Sequence, residues 1–505
     1  MAYAITQTCC NDASCVSVCP VNCIHPTPDE PDFGSTDMLY VDPVACIDCG
    51  ACADACPVDA IFPVEALTAP LDIYADINAG YYQERQPSAA RRDPAPNFHD
   101  WAPPVFSRVI PSDLPALDVA VVGTGPAGMY AVRDLLLHTT SRVTLIDRLG
   151  VPGGLVRYGV APDHPATKKI GESFARFHTH PRLRMRLNTE IGRDVTVADL
   201  AARHDAVIYA VGASADRRLD IPGEELPGSM PATTVVAWYN GHPDVPADAV
   251  DLSGERVVIV GNGNVALDVA RILVGDPDPL ATTSISPDAL ARLRSSKVRE
   301  VVLLARRGPE DAACTAPELR ALIQHPDIDL VVDSGSLPED AVLSGGKAEL
   351  LREVSQEQVD FTAPPPADRR RIVLRFHSTP TEIVGDQRVR GLHVTGRDGD
   401  VEISTEQVVR AIGYRGRPVP GLPFDERTGT VANTGGRVDG VPGAYVVGWI
   451  KRGPSGGIGA NRICAEETIS ALLEDAGSGL LTSRDRRRAA RSLFGRKPKE
   501  RAKVE

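Results

Sequence analysis

From Leu117 onward the chain alternates short apolar runs with stretches of helical length. This rhythm predicts an α/β fold whose parallel strands are buried on both faces. Two runs lead straight into glycine turns. Leu117-Asp-Val-Ala-Val-Val precedes Gly123-Thr-Gly125-Pro126-Ala127-Gly128, and Arg256-Val-Val-Ile-Val precedes Gly261-Asn262-Gly263-Asn264-Val265-Ala266. The two turns start 138 residues apart, too far for a short solenoid repeat, so they predict two separate nucleotide-binding units. Ala206–Ala213 reads as the strand leaving the first unit. Val408–Tyr414 and Gly443–Gly448 read as the return to it, which makes the second unit an insertion. Residues 66–115 have scattered prolines and weak periodicity, the signature of a linker.

Composition narrows the picture. At 505 residues about three domains are expected, and 43% hydrophobic with 24% charged residues is ordinary for a folded globular chain. A net charge of −13 argues against nucleic acid as a partner. Charge is uneven: residues 1–60 carry nine acids and no Lys or Arg, whereas 484–505 carry ten Lys or Arg and three acids. The tail reads as a solvated end, with an electrostatic dock for an acidic partner as the alternative. The chain has no apolar run of about 18 residues and no signal-peptide pattern at its start, so no membrane span and a cytoplasmic location are expected. In that compartment clustered cysteines suggest metal ligands rather than disulfides.

Nine of the 11 cysteines lie between Cys9 and Cys56. Cys46-x-x-Cys49-x-x-Cys52-x-x-x-Cys56-Pro57 has the spacing with which thiolates wrap an iron–sulfur cubane, the fourth cysteine ligating a second cluster. Cys15-x-x-x-Cys19-Pro20 repeats the second half of that pattern. This suggests a pseudo-twofold pair of clusters with exchanged ligands: Cys19 completes the set of Cys46, Cys49 and Cys52, and Cys56 joins Cys15 and an earlier cysteine, Cys9 or Cys10. The alternatives are a zinc site, which favours two spaced ligand pairs, or disulfides.

At each glycine turn the first glycine permits the tight bend, the second lets the backbone approach a pyrophosphate, and the third position, Gly128 or Ala266, lets helix and strand pack closely. A helix N-terminus then meets the phosphate. After the first turn, Val143-Thr-Leu-Ile ends in Asp147, placed to bind ribose hydroxyls. After the second, Glu300-Val-Val-Leu-Leu-Ala ends in Arg306-Arg307. Arginines there suit a 2′-phosphate, so NADP(H) is preferred over NAD(H).

The cysteine segment, with Cys19-Pro-Val-Asn-Cys23-Ile and Met38-Leu-Tyr-Val-Asp-Pro, resembles bacterial ferredoxins of the seven-iron type over residues 3–62. In those proteins the first ligand falls where this chain has Gln7, so Cys9 or Cys10 must substitute, or the first cluster is altered. Cys23 is a spare packed thiol or an extra ligand. Gly154-Leu155-Val-Arg-Tyr-Gly-Val-Ala-Pro-Asp163-His164-Pro and Gly448-Trp449-Ile-Lys-Arg-Gly-Pro-Ser-Gly456-Gly457-Ile458-Gly459 resemble the adrenodoxin reductase-like family of ferredoxin–NADP reductases over about 115–475. That likeness implies FAD, with Gly154, Leu155, Ile191, Trp449, Gly456, Gly457 and Ile458 among the cofactor contacts. It also implies NADP contacts at Arg217, Asn262, Gly263, Asn264, Val265, Glu318 and Gly456, and a role for His164 at the reacting centre. Family members often carry a glutamate that pairs with this histidine where this chain has Ala321, so the partner of His164 is missing or supplied elsewhere.

The expected fold is thus a two-Rossmann FAD and NADP flavoprotein reductase preceded by a small α+β ferredoxin-like iron–sulfur domain. The expected boundaries are 1–65 for the iron–sulfur domain, 66–115 for the linker, 116–212 plus 410–475 for the FAD domain, 213–409 for the NADP domain and 476–505 for a basic tail. The expected cofactors are FAD, NADP(H), one [4Fe-4S] cluster and a second cluster, [3Fe-4S] or [4Fe-4S]. The expected activity is that of a ferredoxin–NADP(+) reductase: hydride from NADPH to FAD, then single electrons to the clusters and to a ferredoxin or similar low-potential acceptor, reversibly. The alternatives are an electron-supplying subunit of a larger synthase and a redox sensor without turnover. No Cys-x-x-Cys pair lies near the flavin motifs, which argues against a disulfide reductase.

Overall fold

A computed structural model describes residues 2–84, 114, 116–338, 343 and 345–481. Residues 85–113 and 115 of the predicted linker and 482–505 of the predicted basic tail lie outside the described residues. The chain divides into two units. One comprises 1–102, 155–170 and 215–414; the other comprises 103–154, 171–214 and 415–505.

The second of these units is built on a seven-stranded sheet. Its strands run, edge to edge, Asn433–Thr434, Arg437–Val438, Ala444–Val446, Ala206–Tyr209, Asp118–Val122, Arg142–Ile146 and Leu183–Arg186. The last five are mutually parallel. The central strand Ala206–Tyr209 is buried at every position, as its unbroken apolar run predicts. Helices Pro126–His138 and Ala460–Gly477 pack against each other.

The larger unit holds a second, wholly parallel sheet in the order Ser229–Pro231, Gln407–Arg410, Arg256–Val260, Glu300–Leu304, Arg371–Arg375, Asp329–Asp333, Ser355–Glu357. This corrects one expectation. Val408–Arg410 does not begin the return to the first sheet; Gln407–Arg410 pairs with Arg256–Val260 inside the second. An apolar run suits the middle of either parallel sheet, so its pattern carries no information about which sheet it joins. At the start of three neighbouring strands, Arg256, Glu300 and Arg371 stand in register, and both guanidiniums pair with the fully buried Glu300 carboxylate. Burying one carboxylate between two arginines is tolerable only because its oxygens are so engaged.

The cysteine-rich segment belongs to the same unit. Strand Tyr3–Ile5 pairs antiparallel with Ile61–Pro63, and Ile24–His25 pairs antiparallel with Tyr40–Val41. The segment extends past residue 65, a second correction. Helix Tyr74–Glu84 packs on these strands, and the Asn78 side chain accepts from the Ile5 and Val41 amides at 3.1 and 2.8 Å while donating to the Ile5 carbonyl at 2.8 Å. One buried amide therefore ties the two strand pairs together, and residues 66–84 are part of the module. Their weak amphipathicity hid this, since a short helix on a small module buries little apolar surface.

Candidate functional site

The module sorts its thiols into two groups. Cys19 Sγ lies 3.4 Å from Cys23 Sγ, and Cys19, Cys46 and Cys49 all act electrostatically on Cys52. Cys23 in turn feels Cys46. On the other side Cys9, Cys10, Cys15 and Cys56 line one cavity, walled by apolar groups such as Ile5 and Leu39. Gln7 is not among its lining residues. Burial pushes the Cys9 thiol up to about 11, and burial also raises Cys10, Cys15 and Cys56. Four thiols around one space, Cys15 buried and the others half-buried, each costly to ionise alone, fit a cluster whose irons would supply the missing countercharge. Backbone amides already point at the sulfurs: Cys23 N donates to Cys19 Sγ at 3.4 Å and Ala60 N to Cys56 Sγ at 3.3 Å. The cavity contains one more residue that sequence reading passed over, Asp12, only 9% exposed. Its signal was available as Cys9-x-x-Asp12-x-x-Cys15, hidden because an aspartate is not counted in a cysteine motif.

The first glycine turn meets the requirements of a phosphate loop. Helix Pro126–His138 starts at Gly125 with no side-chain cap, which leaves its N-terminal amides facing out. A Cβ on Gly128 would stand 2.1 Å from the Gly123 carbonyl oxygen, and one on Gly154 would stand 2.6 Å from Gly125 Cα. Both positions thus keep the backbone bare. Asp147 shapes the loop as well as lying at the strand end. Its carboxylate accepts from Thr124 N and Oγ1 at 2.9 and 2.6 Å and from Leu149 N at 2.9 Å. In the same unit the late glycine turn is seated on the helix start: a Cβ on Gly448 would stand 2.5 Å from Ala127 Cβ. Trp449 Nε1 donates to the Gly456 carbonyl at 3.3 Å, Gly457 is exposed, and Ile458 is half-buried. Ile191 forms an isolated bridge to Val195 beside this core, and Leu155 is 38% exposed. These bare, uncapped turns fit a flavin dinucleotide.

The second turn repeats the design. Helix Asn264–Val274 starts at Gly263, again with no side-chain cap. Asn262 and Asn264 accept from Ala313 N at 3.2 Å and Thr315 N at 2.8 Å, so they pin the neighbouring loop to the turn. Val265 is half-buried against the core. Arg306 and Arg307 follow strand Glu300–Leu304 and are both exposed; Arg307 reaches Asp311 at 3.6 Å. The backbone N–H of Arg217 donates to Gly413 O at 3.1 Å.

His164 has a partner after all. Its Nε2 lies 3.0 Å from Asp268 Oδ1, 2.9 Å from Arg271 Nη2 and 4.0 Å from Glu318 Oε2. Arg271 is paired in turn with Asp163 at 2.7 Å and Asp268 at 2.8 Å. Burial opposes charge on His164, but the hydrogen bond and charge of Asp268 outweigh it and hold the imidazole above its ordinary value. Asp268 is held below the usual carboxylate range: burial disfavours its charge, and His164 and Arg271 overcome that. Burial raises Glu318. When protonated, Nε2 donates to Asp268; when bare, it can accept from Arg271. The group therefore holds or releases one proton without leaving a buried polar atom unpaired. The clue in the sequence was two charged residues, Asp268 and Arg271, one turn apart on a helix, Asn264–Val274, that is otherwise apolar after its first residue.

No described helix is long and apolar enough to cross a membrane. Residues 117–324 match the family model described as pyridine nucleotide-disulphide oxidoreductase, and 39–62 match the 4Fe-4S binding domain. The chain is 50% identical over 495 residues to a probable ferredoxin/ferredoxin–NADP reductase of Mycobacterium tuberculosis, covering 95% of this chain and 85% of that one. It is 38% identical to the mitochondrial NADPH:adrenodoxin oxidoreductase of Mus musculus, covering 79% and 85%. The solved structure of Mycobacterium tuberculosis FprA in complex with NADPH overlays with a TM-score of 0.66 at 42% identity, covering 72% of this chain and 86% of that one. With half of its residues shared along nearly its whole length, the chain belongs to the ferredoxin/ferredoxin–NADP reductases.

Proposed function

We propose that the chain is an NADPH:ferredoxin oxidoreductase that carries its own ferredoxin. Bound FAD would supply the conversion between a two-electron hydride and single-electron transfer, chemistry that belongs to the cofactor. The first sheet would form the FAD domain, over 116–212 and from 415 to 475, and the second sheet the NADP domain, over 213–414. Gly123, Gly125, Pro126, Ala127, Gly128 and Gly154 leave room for the FAD pyrophosphate, and Asp147 orders the loop and faces the ribose. Leu155, Ile191, Trp449, Gly456, Gly457 and Ile458 would complete the flavin's surroundings.

For NADP(H), Asn262, Gly263, Asn264 and Val265 form the pyrophosphate turn, and Arg217, Arg306 and Arg307 offer cations to the 2′-phosphate. His164, kept protonatable by Asp268, and Glu318 would orient the nicotinamide end and manage its proton balance. Cys19, Cys46, Cys49 and Cys52 would hold a [4Fe-4S] cluster. Cys56 and Cys15, with Cys9 or Cys10, would hold a second, three- or four-iron cluster. A ferredoxin or another low-potential redox protein is the external acceptor, in the cytoplasm.

The observation that carries this reading is the division of nine clustered thiols into two groups within a chain that also has two uncapped glycine turns. Anaerobic rapid mixing with NADPH tests it: flavin absorbance should bleach first, cluster absorbance second, and cytochrome c or ferricyanide should then be reduced catalytically. A protein loaded with FAD and iron that stays oxidised at micromolar NADPH would remove the reading.

A further inference from the structure

The module is internally two-fold, with an offset of 37 residues. Cys9, Asp12, Cys15 and Cys19 correspond to Cys46, Cys49, Cys52 and Cys56, so an aspartate stands where the second motif has its middle cysteine. The backbone obeys the same offset. Asn11 and Ala13, the neighbours of Asp12, have φ of 54° and 56°; Asp48 and Gly50, the neighbours of Cys49, have 58° and 74°. Asn22 and Asp59, three residues after the two motifs' last cysteines, have 49° and 48°. Non-glycine residues rarely adopt this left-handed conformation, and its recurrence shows that both loops curl the same way. The two amide-to-sulfur bonds, Cys23 N to Cys19 Sγ and Ala60 N to Cys56 Sγ, also correspond.

Asp12 is therefore presented to the first cavity as Cys49 is presented to the second thiol group. It lines that cavity, and it lies within electrostatic reach of Cys9, Cys15 and Cys56, which also reach one another. Cys10 lines the cavity too but breaks the correspondence, since its counterpart is Ile47. Asp12 already accepts from Ser14 Oγ and, at 3.3 Å, from Ser14 N, and a carboxylate retains further acceptor positions.

We infer that Asp12 is the fourth ligand of the first cluster, so that this cavity holds a four-iron cluster on three thiolates, Cys9, Cys15 and Cys56, and one carboxylate. The inference rests on the reading that a second cluster occupies this cavity. A carboxylate is a harder and weaker partner for cluster iron than a thiolate, so the iron on Asp12 is the removable one. On treatment with ferricyanide, one electron passes from the cluster to the oxidant. The bonds from that iron to Asp12 and to three sulfides break, Fe²⁺ departs, and a three-iron cluster remains on the three thiolates.

The test is iron and sulfide content with EPR on full-length protein reconstituted anaerobically with Fe²⁺ and sulfide. The wild type should hold iron for two four-iron clusters and develop a three-iron signal with ferricyanide. Asp12→Ala should carry one iron fewer per chain, with unchanged sulfide, and show the three-iron signal whenever it is oxidised. Asp12→Cys should hold the full iron and resist ferricyanide, which decides the matter even if the alanine variant folds poorly. Cys10→Ser should match the wild type. Full iron and a wild-type signal in Asp12→Ala, or loss of that iron in Cys10→Ser instead, overturns the assignment. If Cys15→Ser keeps all iron and sulfide, the second cluster itself is absent, a result distinct from failure of Asp12 alone.

Discussion

His164 Nε2 lies 3.0 Å from Asp268 Oδ1, a carboxylate 104 residues further along the chain and on the helix that opens the second glycine turn. The histidine of the reductase motif thus takes its acidic partner from that helix rather than from position 321, where this chain has alanine. Because Asp268 raises the imidazole, replacing it by Asn should lower the His164 pKa, with burial and Arg271 then opposed only by the more distant Glu318. An NMR titration of the histidine, or the pH profile of NADPH oxidation, would move to lower pH. An unmoved profile would refute the pairing.

The same pair makes a signed statement about stability. The native His164 pKa lies above the unfolded value of roughly 6.5. Its contribution is therefore fully present below about pH 6.5 and is lost as pH rises through the raised native value. Denaturant melts at a series of pH values should show wild type losing its advantage over His164→Gln across that window.

The arginine pair after Glu300–Leu304 predicts cofactor choice. Replacing Arg306 and Arg307 by Ala removes charge-assisted bonds to a 2′-phosphate, together worth about 1.5–3 kcal/mol because both side chains are exposed and screened. KM for NADPH should rise roughly tenfold to hundredfold, while KM for NADH stays near its original value. Equal rises for both would exclude a 2′-phosphate role.

Gly154→Ala should release flavin. Gly154 has φ of 51°, and the new methyl would stand 2.6 Å from Gly125 Cα, in the turn that must remain open to the pyrophosphate. Flavin content per chain after gel filtration is the measurement; full retention would place the cofactor elsewhere.

Glu300→Gln should cost about 3–5 kcal/mol, because it leaves Arg256 and Arg371 buried with no carboxylate between them. Urea denaturation reads this directly. A loss under about 1 kcal/mol would mean that water or Glu357, 3.1 Å from Arg371, takes over.

Much of this protein is written locally. The thiol spacing from Cys46 to Cys56, the two glycine turns and Arg306-Arg307 are legible because each is a short run whose chemistry depends on neighbours in sequence. Residues that act through distant partners are not. Asp268 looks like an ordinary helical acid until folding sets it against His164. Gln407–Arg410 reads equally well in either sheet until hydrogen bonding to Arg256–Val260 decides. Cys9 and Cys56 share a cavity although 47 residues separate them, and Asn78 joins two strand pairs from a helix that reads as linker. Such contacts carry no local periodicity. They form only when burial of the surrounding apolar surface offsets the entropy of closing long loops, and that balance belongs to the whole fold.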